Sequence, residues 1–414
     1  MKKLVILGAG CGGTMMANKM RKNLARNEWH ITIIDKDNIH DYQPGYLFVP
    51  FGINTEKEIR KTKREFIKPG IDFVVSELVN VDWDKQEVST ATRGKFQYDI
   101  LIMSTGCDVR PEEVEGLAET WNKTAYGFYR YDDCIALKKA LGQFEGGKLV
   151  ISIAEMPIKC PVAPIEFAFL VDWHLHERGI RDKVEIEYVT PLTGAFTKPV
   201  ATKILTEAYD KKNIKITPNF ALGSVDGERK VIQSYDGIEV NYDMLVSIPP
   251  NFGSQVMIDS GIADPMGYIP VDKFTLQPKD RPNVWVLGDG TNVPTSKAGA
   301  VTHFQADILE ENIMASINGE AQHARSDGHA TCFIESGYGK GYLIDFNYDV
   351  EPVVGQYPFP SIGPLGLLQE TELNHISKLL FKWAYYNLLL AGTWLGPPAL
   401  QLAGKRMDMI QKKH

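Results

Sequence analysis

Residues 4–20 read LVILGAGCGGTMMANKM. An apolar strand runs straight into Gly8-Ala9-Gly10-Cys11-Gly12-Gly13, and Met15, Met16 and Met20 then follow at helical spacing. Strand, glycine loop and helix in that order predict a dinucleotide-binding unit. Its glycines have separate tasks: Gly8 for the tight turn, Gly10 for close approach of a pyrophosphate, Gly13 for packing of helix on strand. The helix N-terminus then presents free N–H groups to phosphate. Residues 29–37, WHITIIDKD, are a β-branched strand ending in Asp35. An acid about 20 residues beyond the glycines suits ribose hydroxyls. Glycines alone would also fit a turn in another α/β fold; the strand, helix and distant acid favour the nucleotide site. Cys11 reads as a small filler of the loop.

The chain has 414 residues, 44% of them hydrophobic and 23% charged. That length predicts two or three domains of about 150 residues. The formal charge is −7, from 45 basic and 52 acidic residues, which disfavours a nucleic-acid partner. There is no uncharged apolar run of about 18 residues, so no transmembrane helix is predicted. A strand starting at Lys2 leaves no room for an export leader, which predicts a cytoplasmic location. In a reducing compartment Cys11, Cys107, Cys134, Cys160 and Cys332 are not a disulfide framework. Their spacing does not predict a metal site either.

Residues 98–106, YDILIMSTG, and 281–290, RPNVWVLGDG, are two further buried strands. With the first loop, they resemble the flavoproteins that carry two dinucleotide-binding domains. The resemblance implies FAD. It places the cofactor at Gly8, Gly10, Gly13 and Asp35, at the returning Thr105-Gly106, and at Gly288-Asp289. A weak internal repeat, YDMLVSIPP at 242–250, predicts the closing strand of a second nucleotide fold. Within that fold, KLVISI is a strand, residues 164–179 a helix stopped by Gly179, and KVEIEYVT a strand. His174 and His176 read as surface or interface groups. The loop after KLVISI is AEMPIKCPVAP, without the glycines a nicotinamide dinucleotide needs. Its prolines remove N–H groups that would bind phosphate. Two nucleotide folds with one nucleotide are therefore expected.

The stretches YQPGYLFVPFG (42–52), KCPVAPIEFAF (159–169), SIPPNFG (247–253), GYIPVDKFTLQ (267–277), GDGTNVPTSKAG (288–299) and TCFIESGYG (331–339) together resemble sulfide:quinone oxidoreductases and the related flavoprotein subunits of flavocytochrome c sulfide dehydrogenases. The resemblance spans nearly the whole chain. It implies that Cys160 and Cys332 form a redox pair that takes up hydrosulfide by thiol–disulfide exchange and releases polysulfide or sulfur. It makes Glu166 an acid/base candidate, although an acid in a helix's first turn is also favoured by the helix N-terminus. Lys297 is implied near the pyrimidine side of the flavin. Many members have a third cysteine where Phe128 or Tyr129 stands here; Cys134 reads as core. Flavocytochrome-type sulfide dehydrogenation, NADH:quinone oxidoreduction and a non-catalytic redox-sensing flavoprotein are the alternatives.

Residues 375–396, HISKLLFKWAYYNLLLAGTWLG, mix apolar and aromatic residues with Lys378 and Lys382. This predicts a helix lying in a membrane interface, lysines at headgroup level; a core or oligomer helix is the other possibility. Residues 397–414 add a basic amphipathic piece. The resemblance implies a membrane anchor admitting quinone, with Phe346, Phe381 and Tyr385 beside it. The predicted fold is α/β: two Rossmann-like dinucleotide-binding domains plus a C-terminal amphipathic helical membrane-anchoring segment. Residues 1–110 and 251–325 would hold FAD, 111–250 the redox-cysteine domain, and 326–414 the quinone and membrane region. The expected partners are hydrosulfide, membrane quinone and the cytoplasmic face of the cell membrane, with a homo-oligomer allowed.

Overall fold

The computed structural model describes residues 1–357 and 363–393. The basic piece expected at 397–414 lies outside the described residues.

Five parallel strands form the first sheet, in the order Val284–Val286, Ile100–Met103, Lys2–Leu7, Trp29–Asp35, Asp72–Val75. The central strand reads KKLVIL and is buried from Leu4 onward. A continuous apolar run of this kind suits a parallel strand covered on both faces. The helices Cys11–Asn23 and Gly299–Asn318 pack together, and both contribute to the core that holds Leu4, Ile6, Ile31 and Ile33. Val5, Leu7 and Leu101 belong to a second core, shared with the antiparallel strands Leu78–Asp82 and Glu87–Thr90.

A second parallel sheet follows the same plan, in the order Ala125–Tyr126, Met244–Ile248, Gly147–Ile153, Val184–Val189, Ile214–Thr217. Here the repeat seen in the sequence becomes physical. Ile100–Met103 pairs with the central strand of its sheet, Lys2–Leu7, and Met244–Ile248 pairs with the central strand of its own, Gly147–Ile153. A short antiparallel ribbon, Asp108–Val109 with Asn251–Phe252, joins the chain's outward and return paths between the sheets.

The chain then makes a four-stranded sheet: Ala330–Gly337, Lys340–Phe346, Leu365–Leu367, Gly355–Tyr357. It is sandwiched between the helix Ala163–Glu177 of the second unit and the C-terminal helix Glu372–Ala384. Thr371 caps that last helix by accepting the Asn374 N–H. Beyond it the backbone widens into a π turn, Tyr385–Leu389. The tail is tied to the first unit: Asn18 Nδ2 donates to the Leu390 carbonyl at 2.6 Å. Among the described residues no helix is long and apolar enough to cross a membrane.

Candidate active site

The glycine loop leaves strand Lys2–Leu7 at Gly8, whose φ is +89°. A Cβ there would stand 2.3 Å from the Ser104 carbonyl oxygen, and one on Gly13 would stand 1.8 Å from the Gly8 carbonyl oxygen. Only glycine permits either approach. Gly10 is the N-cap of helix Cys11–Asn23, and a Cβ there would meet nothing within 4 Å. Asp35 Oδ2 accepts the Ala9 N–H at 2.6 Å, and its other oxygen meets Lys63 Nζ at 2.6 Å. Thr105 and Gly106 lie against Gly290. Gly288–Gly290 make a single tight turn. Asp289 Oδ1 is buried and has no hydrogen-bond partner among the described residues. A buried carboxylate oxygen without a donor is costly, so a hydroxyl-bearing ligand fits here. Burial raises the Asp289 pKa against the pull of Lys297 and Lys159. Lys297 Nζ donates to the carbonyls of Asp289 and Thr291 at 2.9 and 2.7 Å. These residues fit a dinucleotide with a polyol chain.

The cysteine loop docks onto this face. Cys160 N–H donates to the Lys297 carbonyl at 2.6 Å, and Lys159 N–H to Asn251 Oδ1 at 2.9 Å. Ala163 N–H closes back on the Cys160 carbonyl at 2.8 Å. Main-chain donors that a pyrophosphate would need are thus already engaged. Cys160 has φ +45°, a left-handed conformation uncommon for a side-chain-bearing residue.

Cys332 lies on strand Ala330–Gly337, near enough to Cys160 for the charge of one to act on the other. Both are free thiols, and each packs on the core. A negative charge on Cys160 would raise the Cys332 pKa. Burial pushes the Cys160 thiol up to about 11 and the Cys332 thiol higher still, while the Lys378 ammonium pulls both down.

Glu166 sits in the first turn of helix Ala163–Glu177, but its carboxylate reaches other elements. One oxygen accepts the Glu335 N–H at 3.0 Å. Lys378 Nζ lies 2.8 Å from that oxygen and 3.1 Å from the other. Lys378 also donates to the Phe333 carbonyl at 2.9 Å. Burial raises the Glu166 pKa, although Lys378 opposes it. For Lys378, burial works against the charge, yet Glu166 and Cys160 hold its pKa above the ordinary lysine value.

This corrects the headgroup position expected for Lys378. The Lys378 ammonium is turned inward because the buried Glu166 carboxylate needs a counter-charge, and Lys382 Nζ faces Glu58 at 3.5 Å. Reading Lys378 as an outward residue missed it as part of the site. No local pattern marks it, because its partner Glu166 lies 212 residues earlier in the chain.

Tyr385 is buried, with its hydroxyl 2.8 Å from His40 Nε2 and its ring 5.0 Å from that of Tyr42. Phe381 is half-buried, 6.4 Å from the Tyr385 ring. Phe346 lies apart from them, edge-on to Phe196 at 6.0 Å and under Lys198 Nζ. Cys134 is fully buried in the core, and Phe128 stacks on Phe167.

Residues 2–155 match the pyridine nucleotide-disulphide oxidoreductase family. The chain is 32% identical over 412 residues to the mitochondrial sulfide:quinone oxidoreductase of Dictyostelium discoideum, covering 96% of this chain and 88% of that protein. It belongs to the sulfide:quinone oxidoreductase family. The mitochondrial sulfide:quinone oxidoreductase of Mus musculus is 26% identical over 407 residues, covering 96% and 88% of the two chains. Among solved structures, the sulfide:quinone oxidoreductase of Aquifex aeolicus superposes with a TM-score of 0.80 at 20% identity, over 100% of this chain and 96% of the other. Sulfide:quinone oxidoreductases are FAD-dependent, and FAD is the cofactor of this chain. That agrees with the unpartnered Asp289 oxygen and the glycine loop above.

Proposed function

We propose that this chain oxidises hydrosulfide and hands the two electrons to a membrane quinone. The observation that carries this is that Cys160, Cys332 and the Glu166–Lys378 ion pair stand near enough for their charges to act on one another. FAD, when bound, supplies a two-electron store between sulfur and quinone. The chain's own residues do the rest. Cys160 and Cys332 handle sulfur: hydrosulfide attack on a bridge between them leaves a persulfide on one and frees the other as a thiolate. Lys378 stabilises thiolate charge in a low-dielectric site. Glu166, its pKa raised by burial, takes up the proton that the persulfide loses.

Gly8, Gly10, Gly13, Asp35, Thr105, Gly106, Gly288, Asp289 and Lys297 are the residues we assign to FAD, in a domain of 1–110 and 251–325. The domain 111–250 supplies Cys160, and 326–414 the quinone and membrane region. Phe346, Phe381 and Tyr385 are our candidates for the quinone's neighbours. The enzyme would lie on the cytoplasmic face of the cell membrane. An apolar stripe on helix Glu372–Ala384 supports the contact with a membrane surface: Leu373, Ile376, Leu379, Leu380 and Trp383 are all exposed, and they share one helical face.

The test is anaerobic mixing of the flavin-loaded protein with sulfide, following flavin absorbance. The expected result is bleaching in the wild type and its loss in both Cys160→Ala and Cys332→Ala. Bleaching that persists in either variant overturns the cysteine-pair assignment.

A further inference from the structure

Four lysines are buried among the described residues: Lys19, Lys63, Lys159 and Lys297. Three of them find partners within the chain. Lys19 Nζ meets Asp307 and Glu310, each at 2.6 Å. Lys63 Nζ meets Asp35 at 2.6 Å and Asp37 at 2.8 Å. Lys297 Nζ donates to the Asp289 and Thr291 carbonyls. Lys159 is only 6% exposed, yet its Nζ makes one long hydrogen bond, to Gln43 Oε1 at 3.4 Å, and lies 5.9 Å from the centre of the Tyr129 ring. No carboxylate among the described residues stands at ion-pair distance from it. Asp289 and Cys107 are near enough only for its charge to act on them through space. Burial, with Asp289, pushes the Cys107 thiol up to about 12, so that thiol brings no negative charge at neutral pH. A buried charge without a partner is costly, and this one is held firmly in place. Lys159 N–H donates to Asn251 Oδ1 at 2.9 Å, its backbone bridges to Lys297, and Cys160 N–H ties the next residue to the Lys297 carbonyl. The ammonium therefore stands at the cysteine end of the bed that Asp289 and its turn offer to FAD.

We infer that Lys159 is the counter-charge that favours the reduced flavin. Reduction of the cofactor takes up two electrons and one proton, so the flavin ring system gains one negative charge. In turnover hydrosulfide supplies the two electrons and the proton as it becomes zero-valent sulfur. A cation fixed in a low-dielectric site, with donors still free, favours the anionic reduced form over the neutral oxidised one. Lys297 is less suited to this task, because the Asp289 and Thr291 carbonyls already occupy two of its donors. The cysteine loop thus gives up the pyrophosphate of a second nucleotide and delivers two groups in exchange, a sulfur carrier at Cys160 and a cation at Lys159. The inference rests on FAD being the cofactor and holds for any electron donor.

The test is the two-electron midpoint potential of the flavin-loaded protein, measured by slow enzymatic reduction against a reference dye, with no sulfide present. Lys159→Met and Lys159→Gln remove the charge, and Lys159→Arg keeps it. Visible absorbance reports the flavin content of each variant. The expected result is full flavin content throughout and, in both neutral variants, at least about a tenfold loss of preference for the reduced form, a potential about 30 mV more negative. Lys159→Arg should stay within about twofold of wild type, or about 10 mV. If one neutral variant loses its flavin, the other decides. Neutral variants within about 10 mV of wild type, or a Lys159→Arg potential displaced as far as theirs, overturn the inference. Loss of oxidised FAD from both neutral variants also overturns it, because Lys159 would then hold the cofactor in either redox state. Failure of sulfide to bleach the wild-type flavin, in the separate assay above, overturns the sulfide reading alone.

Discussion

Cys160 sits at φ +45°, where the loop must turn to give its N–H to Lys297 and its carbonyl to Ala163. A left-handed residue with a Cβ costs about 1 kcal/mol. Cys160→Gly is therefore expected to be about 1 kcal/mol more stable than Cys160→Ala, read from denaturant midpoints at equal slope. Lys378 acts on ionisation. Its ammonium lowers the pKa values of Glu166, Cys160 and Cys332 against burial, which raises all three. Removing it in Lys378→Met makes each anion harder to form. The pH at half-maximal bleaching by sulfide should then rise by about one unit or more. Stability follows the same sign. A carboxyl whose folded pKa is raised contributes fully below its unfolded pKa and loses that contribution as pH rises through the folded one. Lys378→Met should accordingly be least stable, relative to wild type, on the alkaline side, as chemical denaturation at acidic and alkaline pH would reveal.

Helix Glu372–Ala384 does two jobs with two faces. His375 and Lys378 point to the sulfur cluster, and the next turn anchors Tyr385 against His40. The opposite face leaves Leu380 61% and Trp383 60% exposed. Burying a large apolar side chain is worth about 2 kcal/mol, so the two residues together matter for adhesion to lipid. Leu380→Glu/Trp383→Glu should weaken co-sedimentation with anionic or neutral lipid vesicles by at least about tenfold, while the flavin still bleaches with sulfide. Equal sedimentation of variant and wild type would show that this face serves another surface. The helix itself was legible from its apolar spacing. Which lysine faced inward was not, because that depends on Glu166, more than two hundred residues earlier in the chain.

Across the whole molecule, two sheets of the same plan have different loops after their central strands. One ends in Gly8–Gly13; the other ends in the proline-bounded cysteine loop whose donors meet Lys297 and Asn251. NADH should therefore fail to bleach the flavin under conditions where sulfide does, and prompt bleaching by NADH would mean that the second fold still takes a dinucleotide. Much of this was legible from local order. Glycines next to a strand have few alternatives, because close backbone approach excludes any Cβ. The echo of YDILIMSTG in YDMLVSIPP reports equivalent strands, because parallel closing strands need the same continuous apolar run. Cys160 and Cys332 were singled out by their surrounding motifs. The inward Lys378 and the burial of Tyr385 against His40 carry no local pattern. They arise where the cysteine helix, the C-terminal sheet and the last helix come together, since a buried charge takes whatever partner the packing brings within reach. Local order thus set the strands, the loops and the sulfur-bearing positions, whereas the proton chemistry around them was decided by tertiary packing, because counter-charges are selected by distance in space and not by distance along the chain.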